Sequence, residues 1–244
     1  MKFPADWIVP DWPVPERVRA LITTRSGGAS RGPYASFNLG ERVGDDAQSV
    51  ASNRETLRRL LPAEPAWMQQ VHGIRVIELG ASGKDEQADA AVARAPGQVC
   101  VVLSADCLPV LLADVDGTVV GVAHAGWRGL AAGVIENAVR AMRVAPDRLI
   151  AYLGPGIGAQ AYEVGTDVVD AMVAADAQAL QAFSPRGSGK FLADLCLLAR
   201  QRLDRLGVTR IHGGSLCTYS DAARFYSFRR DGVTGRMASL IWLE

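Results

Sequence analysis

The stretch Ser104-Ala-Asp-Cys-Leu-Pro-Val-Leu-Leu-Ala-Asp-Val-Asp-Gly-Thr-Val-Val-Gly-Val-Ala-His-Ala-Gly-Trp-Arg-Gly129 decides how the middle of the chain folds. Two apolar runs, 108–113 and 118–123, flank the turn-forming Asp114-Val-Asp-Gly117, the pattern of a β-hairpin. A two-residue loop at Val115 and Asp116 sets Asp114 opposite Gly117 and, further down the ladder, Cys107 opposite His124. A loop at Asp116 and Gly117 makes that pair diagonal but keeps both residues on one face, and only an odd-length loop separates them. Cross-strand neighbours on one face have Cβ atoms about 4.5–5.5 Å apart. Either even register therefore brings a thiol and an imidazole together.

Working outward, short apolar or alternating runs predict further strands at 19–24, 74–79, 98–103, 147–153, 207–212 and 236–243. Helical periodicity predicts helices at 47–61, 129–143, 165–182 and 193–206, the last stopped by Gly207. Strands come in consecutive runs interrupted by single helices. That order favours an α+β fold with mixed sheets over a doubly wound parallel sheet. No repeat or linker divides the sequence, so residues 1–244 are expected to form a single domain.

Composition narrows the function classes. Lys+Arg and Asp+Glu are both 26, so the formal net charge is zero. A protein that tracks nucleic acid shows a basic excess or stripe, and none is visible. The N-terminus lacks the basic and apolar regions of a signal peptide, and no run approaches the ~18 apolar residues of a membrane span. Cysteines at 100, 107, 196 and 217 are too scattered for a disulfide framework. A cytoplasmic protein with a small-molecule substrate is expected, as a monomer or weak homodimer, with no nucleic-acid or membrane partner.

The chemistry-bearing residues are few. The chain has three histidines, so His72 and His212 are the only other imidazoles available to Cys107 and His124. His72 sits in Gln69-Gln-Val-His-Gly73, where the glycine suits a tight turn that aims the ring. Two histidines and one cysteine make a catalytic zinc set, with one coordination position left for water or substrate. Alternatively, Cys107 is a nucleophile and His124 its base. Each residue also has a plainer reading, since free cysteines are most often core and lone imidazoles are most often satisfied locally. His212, before two glycines, reads as structural. Cys100 and Cys196 fall inside apolar runs and read as core.

For an anion, Gly126-Trp-Arg-Gly-Leu130 leads into the predicted helix 129–143, whose N-terminus offers N–H groups and a positive dipole end. Arg128 adds a charged fork there, and Arg25, Arg229 and Arg230 are further candidates. The plainer reading pairs each arginine with a carboxylate. The glycines at 154, 156 and 158 do not complete a dinucleotide fingerprint.

Gln70-Val-His-Gly73, Ala105-Asp-Cys-Leu-Pro109 and His124-Ala-Gly-Trp-Arg-Gly129 resemble the signature motifs of the YfiH-like family, also called laccase-domain or polyphenol oxidase proteins. Thr24-Arg25-Ser-Gly-Gly28, Leu153-Gly-Pro-Gly-Ile-Gly158 and Arg229-Arg-Asp-Gly-Val-Thr-Gly-Arg-Met-Ala238 extend the resemblance over nearly the whole chain. The resemblance implies a four-layer αββα sandwich and one Zn2+ held by His72, Cys107 and His124, with Cu2+ as a substitute. It also implies phosphate-dependent cleavage of adenosine, inosine, guanosine and methylthioadenosine, with adenosine deaminase activity at the same site. Catalytic roles then fall to Cys107, His124 and Asp106. Substrate-binding roles fall to Arg25, Arg128, Arg229, Arg230 and Glu163, and Asp89 is a further carboxylate for proton transfer or orientation. Two alternatives stand beside this: a Cys-His amidase editing peptidoglycan precursors, and a copper polyphenol oxidase. Three histidines cannot supply both a blue-copper and a multinuclear centre.

Overall fold

The computed structural model describes residues 3–81 and 86–244. The first half runs β1 (Val18–Ile22), α1 (Ala47–Arg58), β2 (Pro65–Ala66), β3 (Val76–Glu78), β4 (Ala90–Ala93), β5 (Val99–Ser104), β6 (Leu108–Asp114) and β7 (Val120–Ala125). Then come α2 (Trp127–Ala132), α3 (Val134–Met142), β8 (Leu149–Leu153), β9 (Glu163–Gly165) and α4 (Thr166–Ala175). The chain ends with β10 (Phe183–Gly187), β11 (Lys190–Ala193), α5 (Leu195–Leu206), β12 (Arg210–Gly213), α6 (Phe228–Asp231) and β13 (Met237–Leu243).

Two mixed sheets carry the α+β architecture. One has the order β1-β13-β5-β2 and the other β12-β8-β6-β7-β4-β3. Alternation along each strand sorts side chains into three packed interfaces. On β5, Val99 and Val101 face Leu21, Leu240 and Leu57 of α1. Their neighbours Cys100 and Val102 face the second sheet, meeting Leu111 and Val122. On β6, Leu108, Val110 and Leu112 turn the other way, against Ile135, Met172 and Leu198 on the helices. The layers are thus α1, four strands, six strands and a helical layer, the αββα order that the resemblance implied. Each fully buried aliphatic contributes about 1.5–3 kcal/mol, so the two sheets are held by their shared inner faces.

Several expected elements differ in ways that have physical causes. The helix expected over 129–143 begins at Trp127 and breaks at Gly133, whose φ of 102° ends α2 and starts α3. Only glycine takes that conformation without steric cost. The helix expected over 165–182 stops at Ala175; Asp176 then caps a 3-10 turn at Ala177–Ala182 by accepting from Gln178 N. Strand β4 is Ala90-Ala-Val-Ala93, a poor strand former by composition, yet all four residues are buried between β3 and β7. Position in the sheet overrides propensity there. A third, antiparallel sheet, β10-β11-β9, was not expected. Four of the five residues of β10 are exposed, so no apolar pattern marks it.

The hairpin takes the second of its two registers. Ala113 pairs with Val120 and Pro109 with His124, so the turn centres on Asp116 and Gly117. The buried Asp114 carboxylate fixes it, accepting from Thr118 N at 2.6 Å and Val119 N at 2.8 Å.

Candidate metal centre

The strand ends place the chemistry. Cys107 directly precedes β6 and His124 is the penultimate residue of β7. The register that pairs Leu108 with Ala125 puts Cys107 opposite Gly126 and diagonal to His124. Asp89 precedes β4 and lies opposite His124, whose backbone N–H donates to the Asp89 carbonyl at 2.7 Å. His72 lies in the loop before β3, which runs parallel to β4. All four residues therefore gather at one end of the six-stranded sheet.

His72, Cys107 and His124 offer ligand atoms that all lie within 4.8 Å of one another. Cys107 Sγ is 3.8 Å from His72 Nε2, and the two imidazole centroids are 4.9 Å apart at 69°. A tetrahedral zinc with ordinary bond lengths needs S···N separations of about 3.5 Å, so the Cys107–His72 pair stands within a few tenths of an ångström of its ligand distance. The donors fit a metal. Among the described residues this is the one such group of three or more metal-ligating side chains.

Asp89 organises both histidines. Its fully buried carboxylate meets His124 Nδ1 at 2.8 Å, which leaves His124 Nε2 for the metal. It also accepts from three consecutive backbone N–H groups, those of Val71 (3.0 Å), His72 (2.9 Å) and Gly73 (2.7 Å). These three donors form a nest around the anion, and they hold His72 at a φ of 58°. A non-glycine residue in the left-handed region needs such surroundings to persist. Gln70 adds a clamp, donating to Leu103 O at 2.8 Å and accepting from Leu103 N at 2.7 Å.

Electrostatics in the metal-free site favour the ligand form of the sulfur. Burial pushes the Cys107 thiol up, but the charge of His124 and hydrogen bonds with His124 and His72 outweigh it, leaving about 6. Burial works against a charged His124 too; the Cys107 sulfur and Asp89 outweigh it and raise the imidazole to about 9. Each group thus favours the charged form of the other, and a sulfur held below its ordinary pKa gives up its proton to a metal more readily.

Gly126 was not singled out as a site residue, yet the site requires it. A Cβ there would sit 2.9 Å from His72 Cδ2 and 3.0 Å from Cys107 Sγ. Gly126→Ala is expected to push these two ligands apart and weaken metal binding roughly tenfold, in the range of losses from disturbing ligand support. Competition with a colorimetric chelator measures this, and unchanged affinity would show that the two ligands yield at no cost.

The other expected site residues divide. Asp106, at a φ of 96°, accepts through its two carboxylate oxygens from Thr218 Oγ1 and Arg229 N, both at 2.6 Å. It therefore pins the 217–230 segment against the cysteine. Arg25 donates to the carbonyls of Ala35 and Ala222, lies over the Tyr226 ring and does not line the cavity that opens on the three donors. Arg230 is likewise bound up, donating to the carbonyls of Thr218, Tyr219 and Phe225 and to Asp231. Arg229 donates to Glu163 O and stands over Tyr162; the Glu163 residue is itself exposed. Arg128 is exposed, with its guanidinium over Trp127. Because α2 spans six residues, it lacks the long dipole expected of a 129–143 helix. His212 lies on β12 opposite Tyr152, outside the cluster.

A cavity of about 390 Å³ opens on all three donors. Its wall includes Trp67, Gln70, Phe228 and three arginines, 42, 54 and 236. None of the four arginines chosen from sequence lines it. Arg236 lies in a quoted motif, but nothing in its spacing distinguishes it from Arg229 or Arg230.

Residues 19–244 match the family model described as multi-copper polyphenol oxidoreductase laccase. The chain is 53% identical over 239 residues to a purine nucleoside phosphorylase of Pseudomonas aeruginosa, covering 98% of each chain. It is 50% identical to the purine nucleoside phosphorylase YfiH of Escherichia coli, covering 97% of this chain and 98% of that one. A crystal structure of a Neisseria meningitidis protein superposes with a TM-score of 0.95 at 50% identity, covering 98% of this chain and 99% of the other.

Proposed function

The chain belongs to the family described as multi-copper polyphenol oxidoreductase laccase, and within it we propose that residues 1–244 form one zinc-dependent purine nucleoside phosphorylase domain. The observation that carries this reading is the His72-Cys107-His124 cluster at the floor of a cavity of about 390 Å³. That volume is in the range of small-molecule sites, typically about 300–1,000 Å³. The names of close relatives support the reaction class. The substrates are adenosine, inosine, guanosine and methylthioadenosine, with deamination of adenosine to inosine as a second activity.

In phosphorolysis a phosphate oxygen forms a bond to C1′ of the sugar as the C1′–N9 bond breaks. The electron pair stays on N9, and the proton from the phosphate goes to the purine. When bound, zinc supplies Lewis acidity at its open position. The protein's own residues orient the reactants: Trp67 and Phe228 offer aromatic faces to a flat base, and Asp89 and Asp106 are positioning residues for the ligands. Sulfur with two nitrogens suits zinc. Copper follows as a substitute, because it binds N/S sites more tightly. The laccase description does not extend to a multicopper centre here, because the chain has three histidines in all.

A second reading has one observation in its favour, the approach of the Cys107 thiol and the His124 imidazole to within 4.8 Å. That pair alone is the machinery of a cysteine amidase, but a thiolate that ligates zinc is not also a free nucleophile.

The test is adenosine turnover with zinc-loaded protein, with and without inorganic phosphate. Adenine and ribose 1-phosphate are expected in proportion to phosphate. Equal turnover without phosphate, giving inosine alone, removes the phosphorylase reading. Activity of the metal-free protein on an amide substrate moves the assignment to the hydrolase.

A further inference from the structure

We propose that Arg236, on the wall of this cavity, forms the subsite that holds a tetrahedral oxyanion, inorganic phosphate in the reaction proposed above. The inference rests on the phosphorylase reading for the identity of the anion but on geometry for its place.

Arg236 is a half-buried cation that forms no salt bridge with a carboxylate among the described residues. Its Nη1 donates to the carbonyls of Thr234 and Gly235, both at 2.9 Å. Nε and Nη2 have no partner among the described residues, and no carboxylate forms an ion pair with it there. Its neighbour in the cavity, Arg54, contrasts with it: that guanidinium pairs with Glu41 at 2.6 Å and donates to Leu39 O. A charge taken out of water and left unpaired is costly, so the folded protein gains most where a mobile anion completes the pair. Burial lowers the Arg236 pKa, and the fields of Cys107 and Asp106 oppose that shift. A guanidinium stays protonated regardless.

The arginine is also cradled. Its backbone N–H donates to Asn38 Oδ1 at 2.8 Å, and its carbonyl accepts from Leu39 N at 3.2 Å. Its stem crosses Gly40, where a Cβ would come within 2.9 Å of Arg236 Cγ. The guanidinium lies 5.9 Å from the Phe228 centroid, on the wall shared with His72, Cys107 and His124. Two donors left over on one guanidinium edge, Nε and Nη2, match the bidentate geometry of phosphate. Phosphate held there shares one cavity with the metal donors, as attack on a nucleoside bound beside them requires.

The rival anion positions are Arg128, over Trp127, and Arg229, over Tyr162, and both are exposed. Water already solvates them, so they gain less from an anion.

The test is calorimetric titration of inorganic phosphate into zinc-loaded full-length protein, with phosphate KM measured in parallel. Arg236→Gln is expected to weaken phosphate binding roughly tenfold to a hundredfold, the effect of losing charged hydrogen bonds. Zinc content and adenosine KM should stay near wild type, and Arg236→Lys should recover part of the affinity. Gly40→Ala, which displaces the stem but keeps the charge, should also weaken phosphate binding. Unchanged phosphate affinity in Arg236→Gln overturns the proposal, as does its loss in Arg128→Gln or Arg229→Gln instead. If Arg236 governs phosphate binding but adenosine turnover ignores phosphate, the subsite stands and the phosphorylase reading fails.

Discussion

Cys107→Ala is expected to lose its metal and its nucleoside turnover together while remaining folded. The sulfur is the one anionic ligand of the set, and His72, the most exposed ligand, rests in a loop. Removing the thiolate leaves two neutral nitrogens, too few for a stable tetrahedral site. Zinc retained through desalting should fall below about a tenth of the wild-type amount, and turnover by roughly a thousandfold or more, because the Lewis acid goes with it. The fold should survive, since Cys107 sits at the sheet's end and packs in none of the apolar interfaces. Metal analysis, steady-state rates and thermal melting on the same preparation check all three. A variant with full zinc occupancy and turnover sinks the metal assignment. If metal-free wild type were active and Cys107→Ser dead, the cysteine would instead be the nucleophile.

The hairpin was legible because its information is local. Asp114 to Gly117 marks the turn, and the even separation of Cys107 and His124 guarantees a shared face in either register. Which register holds was not legible, because it depends on how the Asp114 carboxylate caps the turn. The convergence of His72 was carried by resemblance alone. Its cause is the parallel pairing of β3 with β4 and the antiparallel pairing of β4 with β7, and β4 is an alanine-rich strand that no periodicity reveals. Among the arginines, sequence favoured those beside glycines and a helix start. The structure assigns Arg25 and Arg230 to main-chain carbonyls and leaves Arg236 in the cavity. Which guanidinium faces a cavity is settled by loops far apart in sequence, here 38–40 against 228–236.

Asp89 carries the other large effect. Asp89→Ala is expected to weaken zinc binding by roughly ten- to a hundredfold, the usual loss when a carboxylate behind a metal-bound histidine is removed. It should also cost about 3–5 kcal/mol of stability, as breaking a buried charged network does, or roughly 10 °C in Tm for a chain of this size. Both losses have one origin. The carboxylate fixes the His124 ring through Nδ1 and restrains His72 through the N–H groups of Val71, His72 and Gly73. Without it, three N–H groups lose their acceptor and the His72 loop is free to leave its left-handed conformation. Asp89→Asn is milder in volume but still wrong in chemistry, because its amide turns one acceptor into a donor facing other donors. Burial raises the Asp89 pKa, but the hydrogen bonds from His124, Gly73 and Val71 outweigh it and hold the carboxyl below its usual value. A carboxyl depressed by folding stabilises above its unfolded pKa, and that contribution disappears as pH falls through the folded one. The stability gap between wild type and Asp89→Asn should therefore be full at neutral pH and close below about pH 4. Melting curves across pH, with zinc and with chelator, separate the two effects. A variant that binds zinc as tightly as wild type and melts within a degree or two of it would leave the His72 loop held by something other than Asp89.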